Sequence, residues 1–186
     1  MDLSLCKGKT ILSVMIDSKK PDHVDRLRAQ WAEQRPDIDT SPMAVLGRIN
    51  RIAHLTGPAI LASMQKHGLD RGEFDVLATL RRSGPPFTLS PTNLYTSLML
   101  SSGGLSNRLN RMEQKGFIQR SDNKTDGRSQ LVSLSEKGLI MVDEAFEADM
   151  SLELDMLSGL DETEFKQAEA ALRMLCQSIE AALSKR

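Results

Sequence analysis

The fold of this chain is decided by residues 90–134, which read SPTNLYTSLMLSSGGLSNRLNRMEQKGFIQRSDNKTDGRSQLVSL. Ser90 followed by Pro91 is typical of a helix start, and Gly116 is placed to end a helix. Apolar spacing and the turn residues predict two helices and then two strands, over 90–99, 101–115, 117–120 and 130–134. A short helix, a tight turn, a second helix and a hairpin form the plan of a winged helix-turn-helix.

The rest of the chain is predicted to be helical. Aromatic residues make up only 4% of the sequence, and strong helix formers such as Leu, Ala and Glu are abundant. Apolar residues recur at helical spacing over 22–34, 42–67 and 71–82, and again in two long helices beyond residue 134. We therefore expect a mainly α fold with a small β-hairpin wing and a helical dimerisation region.

The second of the two C-terminal helices predicts a homodimer. Its apolar residues alternate three- and four-residue steps: Phe165, Ala168, Leu172, Leu175, Ile179 and Leu183. Such a seam needs a partner surface, which a domain of this size does not easily supply internally. The predicted organisation is a flexible segment over 1–21, N-terminal helices for dimerisation and a ligand pocket over 22–69, a winged lobe over 70–134, and dimerisation helices over 135–186.

The charge distribution favours a nucleic-acid partner more than the net charge does. The formal net charge is −1, but residues 108–128 hold six basic and three acidic residues. Residues 143–164 hold nine acidic residues and no Lys or Arg. The charges of the basic and the acidic segment cancel in the net charge, but the basic segment still attracts DNA locally. Charge runs are, however, more often simply solvated surfaces.

The second helix of the motif is predicted to read DNA. Leu105, Leu109 and Met112 recur at helical spacing and are expected to face the core. Small and amide side chains on the opposite face suit close approach to base edges in a major groove, and hydroxyls at the helix start suit phosphates. The predicted DNA contacts here are Ser101, Ser102, Gly103, Ser106, Asn107, Asn110 and Arg111. The alternative is an ordinary amphipathic surface helix.

The loop between the two strands is predicted to act as the wing. It places Arg128 near a loop tip, beside Asp126, which can hold the guanidinium. An arginine in this position suits insertion into a narrow minor groove, where negative potential is concentrated. We therefore expect Arg128 to contact double-stranded DNA and Asp126 to support it.

At this point the sequence resembles the MarR family of transcriptional regulators. The resemblance covers roughly residues 40–183. It rests on 73–77 (EFDVL), 100–104 (LSSGG), 106–109 (SNRL), 111–116 (RMEQKG), 134–138 (LSEKG) and a wing pattern with Asp126, Arg128, Val132 and Leu134. Two positions depart from it: Gly127 stands where many relatives have a second Arg, and Asn110 replaces a common Asp. The resemblance implies a homodimer that binds a pseudo-palindromic operator. The expected effect on transcription is repression.

A narrower resemblance is to the urate-responsive, PecS-like branch of the family, which has an extra N-terminal helix like residues 30–39 (QWAEQRPDID). The ligand-response positions of that branch match Trp31, Asp75, Arg108 and Arg120. The resemblance implies that urate or a related purine releases the protein from DNA. Stacking on an aromatic plane and pairing with a guanidinium suit a flat purine anion. The alternatives are a core role for Trp31 and a structural ion-pair cluster for the other three.

Other classes of function find little support in the sequence. The three histidines share no metal-ligand spacing, and no constellation of a nucleophile and a base is visible, so we expect neither an enzyme nor a metal site or cofactor. Cys6 and Cys176 stand far apart, which favours a reducing cytoplasm, and residues 11–16 are too short to cross a membrane. Cys176 is expected to pack on the C-terminal seam. Two alternatives stay open: a response to another aromatic acid or an oxidant, and a winged-helix module that binds protein.

Overall fold

The computed structural model describes residues 20–99, 104–122 and 130–185. This part of the chain is mostly helical and carries one small sheet, which confirms the predicted fold class. The elements are α1 His23–Gln34, α2 Arg48–Lys66, α3 Arg71–Arg82, β1 Thr88–Leu89, α4 Pro91–Ser97, α5 Leu105–Gln114, β2 Ile118–Asp122, β3 Gln130–Leu134, α6 Glu136–Leu157 and α7 Glu162–Leu183.

The described residues fall into two compact units. The terminal unit comprises residues 20–50 and 154–185, and the central unit comprises residues 51–153. The helix-turn-helix, the sheet and the main apolar core all belong to the central unit.

Side-chain caps fix where most of the helices begin. Three of them start with a reciprocal capping box, in which an Asp and an acidic residue three positions later each accept the other's backbone N–H. These pairs are Asp22 with Asp25, Asp70 with Glu73, and Asp161 with Glu164. Ser90 caps α4 by accepting the N–H of Asn93, and Pro91 occupies the first turn, as the sequence predicted.

The predicted continuous helix over 42–67 is wrong at its start. A π-helical turn, Met43–Gly47, precedes α2. Gly47 lies so close to α1 that a Cβ there would stand 3.2 Å from Val24 Cγ1. The next residue, Arg48, donates to Asp22 and Asp25 at the start of α1, at 2.8 and 2.7 Å. Packing against α1 therefore sets the geometry of this turn, and the local spacing of apolar residues does not reveal it.

The sheet has three antiparallel strands in the order β1-β3-β2. The hairpin of β2 and β3 was predicted, whereas β1, which pairs Thr88 with Ser133, was not. A two-residue strand carries no alternation from which to recognise it. The first hairpin strand also begins one residue later than predicted, because the N–H of Phe117 donates to the Met112 carbonyl at the end of α5.

The core of the central unit lies between the helices and this sheet. It is built from apolar side chains of α2 to α6, β2 and β3, among them Met64, Val76, Leu77, Leu80, Leu94, Met112, Ile118, Val132 and Val142. The start of α6 approaches Phe117 so closely that a Cβ at Gly138 would lie 2.0 Å from the Phe117 carbonyl oxygen. Glycine is therefore required at that position.

The C-terminal helix of the terminal unit buries none of its residues in the single chain. Its predicted seam is exposed there, with Leu172 47% and Leu183 60% accessible. Cys176, which was expected to pack along the seam, is also exposed in the single chain. An apolar stripe of this kind on a 22-residue helix needs a second surface to cover it.

Candidate nucleic-acid interface

The α5 helix has one apolar and one polar face, as predicted. Leu105, Leu109 and Met112 are buried in the core of the central unit. Ser106, Asn107, Asn110 and Arg111 are exposed on the rest of the helix. The other predicted DNA contacts and the wing support lie outside the described residues: Ser101, Ser102, Gly103, Arg128 and Asp126.

An open cleft joins the start of α5 to α4. Thr92 and Tyr95 line it from α4, and Ser106 and Asn107 line it from α5. Tyr95 is 57% exposed and presents a hydroxyl on this surface. Sequence reasoning missed Thr92 and Tyr95, although their spacing of three residues places them on one helix face, away from buried Leu94.

Two basic residues of α5 and its C-terminus pair with acids at the start of α3. Lys115 Nζ lies 2.8 Å from Glu73 Oε2, and the Glu73 side chain is only 2% exposed. Arg111 Nη2 lies 3.4 Å from Asp70 Oδ2, with both side chains about half exposed. An exposed pair of this kind is weak, so Arg111 is held only loosely. The Lys115 charge serves mainly to neutralise a buried carboxylate.

Arg120 on β2 is bound to α5. Its Nη2 donates to Asn110 Oδ1 at 2.7 Å, and its Nε lies 3.5 Å from Glu113 Oε2. The sequence assigned Arg120 to the ligand and Asn110 to DNA, and the structure brings these two side chains into direct contact. A hydrogen bond to Arg120 fixes the orientation of the Asn110 amide on the exposed face of α5.

Arg108 packs back from α5 onto α3. Its guanidinium lies over Gly72, where an added Cβ would come within 2.4 Å of Arg108 Cζ. The Arg108 Nε is buried and finds no hydrogen-bond partner among the described residues. Arg108 therefore points toward α3 rather than along the exposed face of α5.

Asp75, one turn after Gly72 on α3, is buried and reaches the end of α4. Its Oδ1 accepts a hydrogen bond from the Met99 backbone N–H at 3.2 Å. From the C-terminal end of α3, Arg82 donates to the Ser97 carbonyl at 2.6 Å. Two polar side chains of α3 thus hold the residues that lead from α4 toward α5.

These same two side chains line a cavity of about 280 Å³ in the central unit. Helices α2, α3 and α6 supply most of its wall, which is largely apolar, and Met99 adds to it. The lining residues are Ile60, Met64, Arg71, Phe74, Asp75, Ala78, Arg82, Met99, Phe146, Asp149, Met150 and Glu153. The size and mixed lining suit a small planar molecule with a few polar atoms.

Two carboxyl groups of α6 in this cavity have raised pKa values. Burial raises the pKa of Asp149, and the positive charge of Arg71 lowers it again in part. The pKa of Glu153 is raised by burial and, to a smaller degree, by the neighbouring Asp149 carboxylate. The α6 side of the cavity is therefore acidic, and the Arg71 and Arg82 side chains of α3 are basic.

Trp31, the fourth predicted ligand residue, belongs to the terminal unit. It is half exposed and lines a shallow apolar hollow with Ile38, Pro42 and Met43. Of the four predicted ligand residues, only Asp75 lines the cavity of the central unit. Arg108 packs onto Gly72 of α3, Arg120 is bound to α5, and Trp31 lies at the surface of its own unit.

Metal-binding clusters and membrane-spanning helices are both absent from the described residues. Residues 20–99, 104–122 and 130–185 hold no group of three His, Cys, Asp or Glu side chains arranged to bind a metal ion. Within the same ranges, no helix combines the length and the apolar character that crossing a membrane requires.

Comparison with known proteins identifies the family. The sequence pattern of the MarR family matches residues 67–129. The chain is 36% identical over 143 residues to the HTH-type transcriptional regulator PecS of Dickeya dadantii, covering 77% of this chain and 86% of that protein. It is 28% identical to the HTH-type transcriptional repressor MdtR of Bacillus subtilis, over the same shares of the two chains.

The structural comparison agrees in fold. A mutant of MarR from E. coli in complex with operator DNA superposes with a TM-score of 0.60 at 22% identity, covering 78% of this chain and 96% of that one. The relatives are transcriptional regulators and not enzymes, which confirms the prediction for this chain. The similarity to PecS supports the PecS-like branch. The chain belongs to the MarR family of DNA-binding transcriptional regulators.

Proposed function

We propose that the chain represses transcription as a homodimer on a pseudo-palindromic operator, and that urate or a related purine releases it from DNA. In this proposal α5 enters the major groove of double-stranded DNA, and Arg128 on the wing contacts the minor groove. The ligand binds the DNA-free conformation more tightly than the DNA-bound one, since only such a difference in affinity shifts the equilibrium.

The surface around the cleft supports the DNA-reading role. Ser106 and Asn107 project from the first turn of α5, where recognition helices of this motif contact base edges. Thr92 and Tyr95 on α4 add hydroxyl groups to the same surface, and hydroxyls of this kind donate to phosphate oxygens. We add Thr92 and Tyr95 to the proposed DNA contacts.

The observation that carries the ligand response is the double role of α3. Asp75 and Arg82 line the cavity, and both also hold the C-terminal end of α4, through hydrogen bonds to Met99, just beyond it, and to Ser97, its last residue. A ligand that competes for either side chain weakens those bonds. The turn before α5 then shifts, and with it the angle at which α5 meets the DNA.

Arg108 provides a second link between the two helices. Its guanidinium covers Gly72 on the same face of α3 as Asp75, because residues three apart on a helix are neighbours. A purine anion that attracts the Arg108 guanidinium therefore pulls directly on a side chain of α5, the proposed recognition helix. Asp75 and Arg108 therefore give two routes by which a ligand near α3 acts on α5.

A binding titration tests this proposal. A fluorescent duplex taken from the DNA upstream of the chain's own gene is titrated with protein, and anisotropy is measured against a scrambled duplex. We expect specific binding of a dimer, followed by release on addition of urate or xanthine but not of benzoate. Equal affinity for both duplexes overturns the operator assignment. Release by none of the purines overturns the ligand assignment alone.

A further inference from the structure

One carboxylate oxygen in the cavity wall is buried without a hydrogen-bond partner among the described residues. Asp149 lies in the middle of α6 and is 5% exposed, and it lines the cavity. Its Oδ1 is buried and accepts no hydrogen bond from any described residue. Buried polar atoms are almost always hydrogen-bonded, so an orphaned carboxylate oxygen in a cavity wall requires a donor from outside the described residues.

The surroundings of Asp149 specify what that ligand carries. Phe74 and Phe146 supply aromatic surface for a flat ring, while Arg71 and Arg82 supply donors for oxygen atoms of the ligand. Glu153 stands one turn along α6 and adds a second acceptor. A carboxylate accepts hydrogen bonds and donates none, so the atom opposite Asp149 must be an N–H or O–H donor.

We propose that Asp149 is a ligand-binding and specificity-determining residue, whose Oδ1 accepts a hydrogen bond from a ring N–H of a planar nitrogen heterocycle. The heterocycle also carries carbonyl oxygens for the two arginines. This inference rests on the ligand response proposed above. It adds the reason why the cavity selects a nitrogen heterocycle over other aromatic acids. Benzoate-type acids have no ring N–H, so they cannot supply the hydrogen bond that Asp149 Oδ1 lacks.

Burial also gives a thermodynamic reason for this selection. Burial raises the pKa of Asp149, and Arg71 lowers it again only in part, in keeping with the missing hydrogen bond at Oδ1. A ligand donor supplies the missing hydrogen bond, whereas a ligand acceptor leaves the carboxylate unsatisfied and adds repulsion. A ring with an N–H donor is therefore favoured both by the hydrogen bond that it forms and by the repulsion that it avoids.

Calorimetric titration of the dimer without DNA tests the inference, with xanthine, urate and benzoate as probes. We expect xanthine and urate to bind the parent, and Asp149→Leu to weaken both at least tenfold. Asp149→Asn, which keeps a carbonyl acceptor but not the charge, is expected to fall between parent and Asp149→Leu. Glu144→Gln, an exposed acid of α6 outside the cavity lining, is the matched control and should bind as the parent does.

The outcomes separate this inference from the proposed function. Purine binding that is unchanged in a folded Asp149→Leu protein overturns the inference, as does a parent that binds neither purine. Benzoate binding tighter than xanthine overturns it as well. Purine binding that depends on Asp149, without any release of operator DNA, upholds the inference and contradicts the proposed function. Thermal unfolding of each variant shows that the fold is retained.

Discussion

The carboxylate of Asp75 on α3 accepts a hydrogen bond from the backbone N–H of Met99, at 3.2 Å, just beyond the end of α4. Asp75 also forms part of the cavity wall. One buried side chain therefore connects the space proposed for the ligand with the C-terminal end of α4, which precedes the proposed recognition helix α5. Allosteric coupling requires an element of this kind, on which both the ligand and the DNA act.

Replacing Asp75 with Ala removes a hydrogen bond to a charged group, which contributes about 1.5–3 kcal/mol to folding stability, and is expected to weaken operator binding. The physical reason is that the turn after α4 loses its anchor on α3, and α5 becomes less well positioned. Anisotropy titration measures the change. Asp143→Ala is the control, because Asp143 makes an exposed pair with Arg81 that contributes little. Parent-like operator affinity in a folded Asp75→Ala protein contradicts the coupling.

Gly72→Ala tests the contact between α3 and Arg108. The added Cβ would meet the Arg108 guanidinium at 2.4 to 2.5 Å, so the end of a flexible side chain must move. We expect a stable protein in which urate releases the operator less effectively. Gly57→Ala on α2 is the control: a Cβ there meets nothing within 4 Å apart from its chain neighbours, so its response to urate should match that of the parent. If both variants respond to urate equally, Arg108 does not transmit the signal.

Arg128→Ala should weaken operator binding by about 1–3 kcal/mol and flatten the dependence of affinity on salt, because one fewer counterion is released. Arg128 lies outside the described residues, so this prediction rests on the sequence. Asn107→Ala, on the exposed face of α5, should instead change which operator sequence is preferred. Both are measured by titration at several salt concentrations. If Arg128→Ala leaves both the operator affinity and its dependence on salt unchanged, the wing does not contact the DNA through Arg128.

Introducing Asp at both Leu172 and Leu175 should abolish dimerisation. Leu172 is about half exposed in the single chain, so a charge is tolerated there by a monomer but is costly once a partner helix covers it. Sedimentation should show a monomer, and operator binding should be lost with the dimer. Arg173→Ala, which removes an exposed ion pair with Glu169 on the same helix, is the control and should stay dimeric. A monomer that binds a full palindrome at parent affinity runs against the proposed assembly.

Local sequence rules predicted the parts of the fold that local forces determine. The bounds of α3, the Ser90 cap of α4 and the inward residues of α5 follow from helical spacing and capping chemistry. The π-helical turn Met43–Gly47 and the strand β1 depend on contacts with distant segments, so no local sequence pattern predicted them.

The candidate site was predicted less completely than the fold. Asp75 was chosen from a family resemblance, and the structure adds its place in the cavity wall and its bond to Met99. The link between Arg111 and Asp70 joins residues 41 positions apart, and sequence spacing cannot show such pairs. Asp149 has no sequence signal at all, because its importance comes from burial and a missing partner.

The most direct test of the account is the affinity of urate for the dimer, measured by calorimetry with and without saturating operator DNA. Linkage requires that operator weaken urate binding by the same factor by which urate weakens operator binding. We predict a factor of roughly 5–150, which corresponds to a coupling free energy of about 1–3 kcal/mol. Urate affinity that is the same in the presence and absence of operator would contradict the account.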